Sequence, residues 1–253
     1  MRPTLRLTSY IAPFSPTGLT GLLAHPAPRP TLIAIYNTTL TLLESLPPHS
    51  VYRTSTTTLT NHRLDITKSI IPPSYPSYEQ THLAPLLPSL KRLASDAGWP
   101  ETKLHAAIAA AQVKARFRDL TAAVPQNAEG ADTEGLEFLN EIITEQEKTL
   151  GEAVDPLAVP SKPVAGGRQA NSVGIVHVPP IPAEPPLTAE QVAELEAKLE
   201  AGLIEEVINQ GVAEMKLVKE MLEARPWEPL EEEPVKGQWE YFERKAPVQS
   251  APQ

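Results

Sequence analysis

Histidines at 25, 49, 62, 82, 105 and 177 are the residues of this chain best suited to hold a metal or move protons, but they are scattered. A zinc hydrolase places two histidines four residues apart on one helical face with a glutamate between them, and no pair here has that spacing. Glu205-Glu206 offers paired carboxylates for acid–base work. Adjacent helical residues point about 100° apart, however, so a solvated or partner-facing edge suits them better. Gly166-Gly167-Arg168 reads as flexible linker, and no glycine-rich phosphate cradle occurs elsewhere. The chain has no cysteine. That removes disulfides, thiol nucleophiles and cysteine-ligated clusters together. Catalysis by this chain alone finds no support.

Recognition chemistry is better represented. Arg225-Pro226-Trp227-Glu228-Pro229-Leu230-Glu231-Glu232-Glu233-Pro234 is followed by Gln238-Trp239-Glu240-Tyr241-Phe242. The prolines bar a helix, because each lacks an N–H and restricts the residue before it. Two of the three tryptophans therefore sit on an extended arm. Each large aromatic can bury about 150–250 Å², so the arm is expected to pack on its own bundle or on a partner, and a partner surface fits better. Glu205 and Glu206, on an apolar helix with acidic flanks, join the arm as candidate contacts. For Leu203 and Val207 a core position is the better reading.

The elements that must position these residues are helical. Ile33, Tyr36, Leu40 and Leu43 form one apolar stripe on a helix predicted from a cap at Thr31 to about Leu46, stopped by Pro47-Pro48. Ser50 caps a second predicted helix, to residue 70, bearing Tyr52, Leu59, Ile66 and Ile70. Its threonines weaken the helical reading, with a strand as the alternative. A short helix over 79–95, broken near Pro85 and Pro88, precedes a better one starting at Trp99-Pro100-Glu101 and ending before Pro125. A further helix is expected from Thr133 to Leu150. Thr188-Ala189-Glu190-Gln191 is a capping box, and Val192, Leu195, Leu199 and Leu203 follow on one face. Beyond Gly202 the apolar set becomes Ile204, Ile208, Met215, Val218 and Leu222, rotated by roughly 120° from the first. Two helices, about 188–200 and 203–224, are expected to meet at Ala201-Gly202.

Composition sets the context. The 253 residues are 41% hydrophobic but only 5% aromatic, with 28 prolines against 12 glycines. That balance suits compact helical pieces joined by stiff linkers. A formal net charge of −9 argues against nucleic acid, and no apolar run approaches the roughly 20 residues of a membrane span. No Asp or Glu precedes Glu44, and the opening Met1-Arg2-Pro3-Thr4-Leu5-Arg6-Leu7 is arginine-bearing and acid-free, like a mitochondrial targeting segment.

Gly202-Leu203-Ile204-Glu205-Glu206-Val207-Ile208-Asn209-Gln210, then Trp227-Glu228-Pro229-Leu230 and Gln238-Trp239, resemble the alpha-subcomplex subunit 5 family of mitochondrial NADH:ubiquinone oxidoreductase, respiratory complex I. An upstream block agrees: Thr17-Gly18-Leu19-Thr20-Gly21-Leu22, Tyr36, Leu43, Pro47, Val51-Tyr52-Arg53, Leu59-Thr60 and Leu64. The likeness spans roughly 17–70 and 187–242, and the middle resembles enlarged fungal members. It implies a non-catalytic accessory subunit on the matrix side of the inner membrane. It implies no cofactor, and core and accessory subunits of the peripheral arm as partners. The alternative is a soluble adaptor whose Pro-rich segment is read as polyproline II.

The expected organisation is all-α: a possible targeting segment (1–16), a helical pair (17–70), a helical insertion (71–154), a Pro-rich linker (155–186), two further bundle helices (187–224) and an extended arm with tail (225–253). The candidate partner-binding residues are Tyr52, Arg53, Glu205, Glu206, Trp227, Pro229, Leu230, Trp239 and Tyr241.

Overall fold

A computed structural model describes residues 10–19, 22–123 and 180–228. Their regular elements are all helical, with two isolated antiparallel bridges, Tyr10–Thr188 and Pro16–Leu23, and no strand among the described residues. The elements are α1 (Pro28–Leu43), α2 (Val51–Ser69), α3 (Tyr75–Tyr78) running into a π-helical turn (Glu79–Leu83), α4 (Leu87–Asp96), α5 (Glu101–Ala123), α6 (Ala189–Leu199) and α7 (Ile204–Ala224). The 133–150 helix, the targeting segment up to residue 9 and the arm beyond Glu228 lie outside the described residues.

α1 starts earlier than the sequence suggested, with Pro28 and Pro30 in its first turn. Those positions lack intrahelical N–H partners in any case, so proline is tolerated there. The helix is not striped but enclosed: of its sixteen residues all except Ile33 are buried. Its polar side chains survive burial by bonding their own backbone. The Thr31, Thr38, Thr39 and Thr41 hydroxyls donate to the carbonyls of Ala27, Ala34, Ile35 and Asn37 at 2.7–2.9 Å, and Asn37 Nδ2 donates to Ile33 O at 2.7 Å. A hydroxyl buried without a partner would cost about 1–3 kcal/mol; turned back on the preceding turn it behaves as part of an apolar surface.

Three helices surround α1: α2, α5 and α7. The alanine-rich face of α5 brings Ala109, Ala110, Val113 and Phe117 into the same core as Leu32, Ile35 and Leu43. The segment read as an insertion thus supplies one wall of the central bundle. α7 contributes Ile204, Val207, Ile208, Val212, Met215 and Val218. Gly211 makes this approach close, since a Cβ there would stand 3.1 Å from Ile35 Cγ2. A smaller cluster of Tyr78, Leu83, Leu90, Leu104, Ile108 and Ile181 ties α3, α4 and α5 to residues 180–182.

The caps sharpen the boundaries. Ser50 accepts from Arg53 N–H at 3.3 Å, and α2 is helical despite its threonines. Both halves of the Thr188–Gln191 capping box form. The helix expected over 79–95 is interrupted at residues 84–86, beside Pro85, and Pro88 falls in the first turn of α4. Between α6 and α7 the chain passes through Glu200 (φ 51°) and Gly202 (φ 92°). Glu196 Oε1 then accepts the free N–H of Ile204 at 2.9 Å. The change of apolar face at Gly202 therefore marks a real break.

Candidate interaction surface

Tyr52 stands in the first turn of α2, and its hydroxyl donates to Glu214 Oε1 on α7. Burial raises the phenol to about 12, and the hydrogen bond and charge of Glu214 act in the same direction. Arg53 closes the α1–α2 turn, donating from Nη1 to Leu46 O at 2.6 Å. That carbonyl lies just past the end of α1, where helix carbonyls lack intrahelical donors. Both residues are thus engaged within the chain.

The two glutamates at the start of α7 do different work. Glu205 Oε1 accepts the backbone N–H of His25 at 3.1 Å, joining the entry of α1 to the first turn of α7. Glu206 folds back over Gly202, where a Cβ would meet its Oε2 at 2.8 Å. An acid in a first helical turn is favoured by the helix dipole as well.

His25 itself is a core group. Its Nδ1 accepts from Ala27 N–H at 3.1 Å, and its ring meets Phe117 edge-on at 6.0 Å. Nδ1 as acceptor leaves the proton on Nε2, which finds no partner among the described residues. Burial drives the imidazole down to about 3. It is neutral at physiological pH.

Of the arm, only its base is described. Arg225 caps α7 in the left-handed region (φ 46°), Glu228 N–H bonds Arg225 O at 3.0 Å, and Trp227 is 36% exposed on the resulting turn. The Arg225–Glu228 ion pair at 3.3 Å is solvent-exposed and contributes little. Pro229, Leu230, Trp239 and Tyr241 lie outside the described residues.

One feature of this framework was not read from the sequence. Arg29 Nη1 donates to Glu184 Oε1 at 2.6 Å, and the guanidinium lies 4.9 Å from the ring centroid of Tyr75. Burial pushes the Glu184 carboxyl up, and Arg29 opposes that. Pro182 O accepts from the Tyr78 hydroxyl at 2.6 Å, and Ile181 is 2% exposed. Residues 180–186, read as the end of a Pro-rich linker, are therefore packed structure. The one signal available was Arg29 itself, a cation in a stretch with no acid before Glu44.

The open surface is a trough of about 660 Å³ between α2 and α7, floored by Tyr36 and Gly211 and walled by Leu59, Arg63 and Leu217. Leu59 is 50% and Leu217 43% exposed. Among the described residues no group of three His, Asp or Glu side chains stands close enough to hold a metal, and no helix is long and apolar enough to cross a membrane.

Comparison with known proteins agrees with the likeness in the sequence. The family described as "ETC complex I subunit conserved region" matches residues 21–81. The NADH-ubiquinone oxidoreductase 29.9 kDa subunit, mitochondrial, of Neurospora crassa is 36% identical over 97% of this chain and 94% of its own length. An NADH dehydrogenase [ubiquinone] 1 alpha subcomplex subunit of Candida albicans is 48% identical over 26% of this chain and 51% of its own. Alpha subcomplex subunit 5 of Mus musculus is 50% identical over 20% of this chain and 43% of its own. The long middle segment, which the shorter matches do not cover, is thus aligned in the Neurospora subunit. The chain belongs to the alpha-subcomplex subunit 5 family of mitochondrial complex I accessory subunits, in its long fungal form.

Proposed function

We propose that this chain is a non-catalytic accessory subunit that stabilises or helps assemble the matrix-side peripheral arm of mitochondrial complex I. The observation that carries the reading is the match to the Neurospora subunit along nearly the whole of both chains. The bundle supports it: Tyr52, Arg53 and Glu205 make internal ties, while Trp227 stands exposed where the arm begins. In this mechanism the bundle is the fixed part, and Trp227, Pro229, Leu230, Trp239 and Tyr241 clasp core and accessory subunits. Prolines lower the ordering cost of such a segment, and aromatic anchors carry a large share of interface energy, often about 2 kcal/mol each. Removing the chain from the organism should lower the amount of assembled complex I on a native gel, and undiminished assembly and NADH:ubiquinone turnover would count against the proposal.

The adaptor reading is less well supported. Within 180–186, the described part of the Pro-rich segment, Glu184 and Ile181 are buried against α1, α3 and the π-helical turn, so this end is not free to be read as polyproline II.

A further inference from the structure

We propose that a peptidase removes the arginine-bearing leader by cutting between Arg6 and Tyr10, and that residues 10–16 stay in the finished subunit as part of its fold. The proposal rests on the mitochondrial accessory-subunit reading and moves the end of the expected targeting segment back from residue 16.

Residues 10–16 are tied into the bundle at three points. Tyr10 pairs with Thr188, the cap of α6, in an antiparallel bridge. Phe14 N–H donates to Ala24 O at 2.8 Å, and Ala24 N–H donates to Ser15 O at 2.9 Å. Pro16 and Leu23 form the second bridge. The Phe14 ring packs on the central core, with its centroid 6.4 Å from that of Phe117, which is 1% exposed. Phe14 also holds φ at 59°. A bulky residue keeps that left-handed value only where its surroundings impose it.

A cut after Pro16 would undo these ties. Phe117 and the His25 ring, which meet edge-on at 6.0 Å, would lose the aromatic that packs beside them. Ala24, 3% exposed at the entry to α1, would lose the partners of both its N–H and its carbonyl. Buried backbone groups left unpaired are costly. A leader that ended at residue 16 would therefore take part of the core with it.

The features that read as targeting all lie ahead of Tyr10. Arg2 and Arg6 are the only arginines or lysines before Arg29, and no acid precedes Glu44. Proteases choose their bond through side-chain pockets, and an arginine just before the scissile bond offers an acidic pocket one charge to read. Arg6 is the last such group before the packed segment. Cleavage also needs backbone that the fold does not hold, and the fold takes hold at Tyr10. Hydrolysis consumes one water: the carbonyl carbon of the broken peptide bond gains the hydroxyl, the freed nitrogen gains the proton, and the leader departs as a short peptide.

The test recovers the chain from assembled complex I and reads its first residue by amino-terminal labelling and mass spectrometry. A start at Leu7, Thr8, Ser9 or Tyr10 is expected. A start earlier than Leu7, the uncut Met1 included, overturns the proposal, and so does one later than Tyr10. Thermal unfolding checks the retained segment separately. A chain beginning at Ser9 should melt with the full chain, whereas one beginning at Thr17, or the full chain with Phe14→Ala, should melt about 5 °C lower or more; equal midpoints for all four overturn the structural role of residues 10–16. The same end-reading on the chain from whole mitochondria separates the two readings. A start within 7–10 on a chain missing from complex I sinks the accessory-subunit reading and supports the cut, while a chain missing from mitochondria sinks both.

Discussion

Arg29 and Glu184 are 155 residues apart, yet the guanidinium donates to the carboxylate at 2.6 Å with side chains only 6% and 3% exposed. The pair pins residues 180–186 to the first turn of α1. Taking away one member of a buried pair leaves an uncompensated charge and costs about 3–5 kcal/mol. Arg29→Met should therefore destabilise strongly in urea unfolding, and Arg29→Met with Glu184→Leu should recover much of the loss. Equal destabilisation by the single and double variants would show that packing, not the lone charge, is at stake.

His25 gives stability a pH dependence. Its folded pKa, about 3, lies below the ordinary 6.5. The unfolded chain then binds the extra proton between those values. Stability contributed by the neutral ring is complete above 6.5 and falls as pH drops toward 3, by up to about 1.4 kcal/mol per pH unit. In His25→Asn the side-chain oxygen can still accept from Ala27 N–H. That variant should lose this portion of the acid sensitivity between pH 6.5 and 4.5 in chemical unfolding, and an unchanged slope would contradict the assignment.

Tyr52 is expected to act within the chain. Tyr52→Phe removes the bond to Glu214 and should cost about 1 kcal/mol or less, since the site is only partly buried and solvent screens it. Thermal unfolding of the isolated chain should show the loss. A variant of unchanged stability that fails to join the complex would instead make Tyr52 a direct partner contact.

Where the sequence was legible, a local device wrote the structure. Ser50 and Thr188 announce their helices through side-chain caps, and the shift of apolar face at Gly202 separates α6 from α7, whereas α1 ends at Leu43, before Pro47-Pro48. The burial of α1 was not legible, because Thr31, Thr38, Thr39 and Thr41 look polar until their hydroxyls are seen bonding the preceding turn. α5 was read as part of an insertion because the family likeness covered only about 17–70 and 187–242, although its small alanine side chains are what let the helix pack on α1. Of the candidate partner-binding residues, Tyr52, Arg53 and Glu205 are internal ties whose partners lie on other elements, and Glu206 folds over Gly202. The trough and the Arg29–Glu184 pair require tertiary proximity that spacing along the chain does not encode.

The contact of α1 with α7 offers a packing test. Gly211→Leu would drive a side chain into Ile35, whose Cγ2 already stands 3.1 Å from the position of a Cβ. Overpacking of this kind typically costs about 1–3 kcal/mol, so the unfolding midpoint in urea should fall. A variant as stable as the parent would mean that the two helices separate without loss.

The central claim, that this chain is held in complex I with its arm as a clasp, is tested most directly by native-gel analysis of mitochondria carrying the tagged full chain. The unmodified chain should migrate with the NADH-oxidising band of complex I. Trp227→Ala combined with Trp239→Ala should move a substantial fraction of it to the free pool, with the thermal unfolding of the isolated chain little changed. A parent chain absent from that band, or a double variant that stays in it undiminished, would contradict the account.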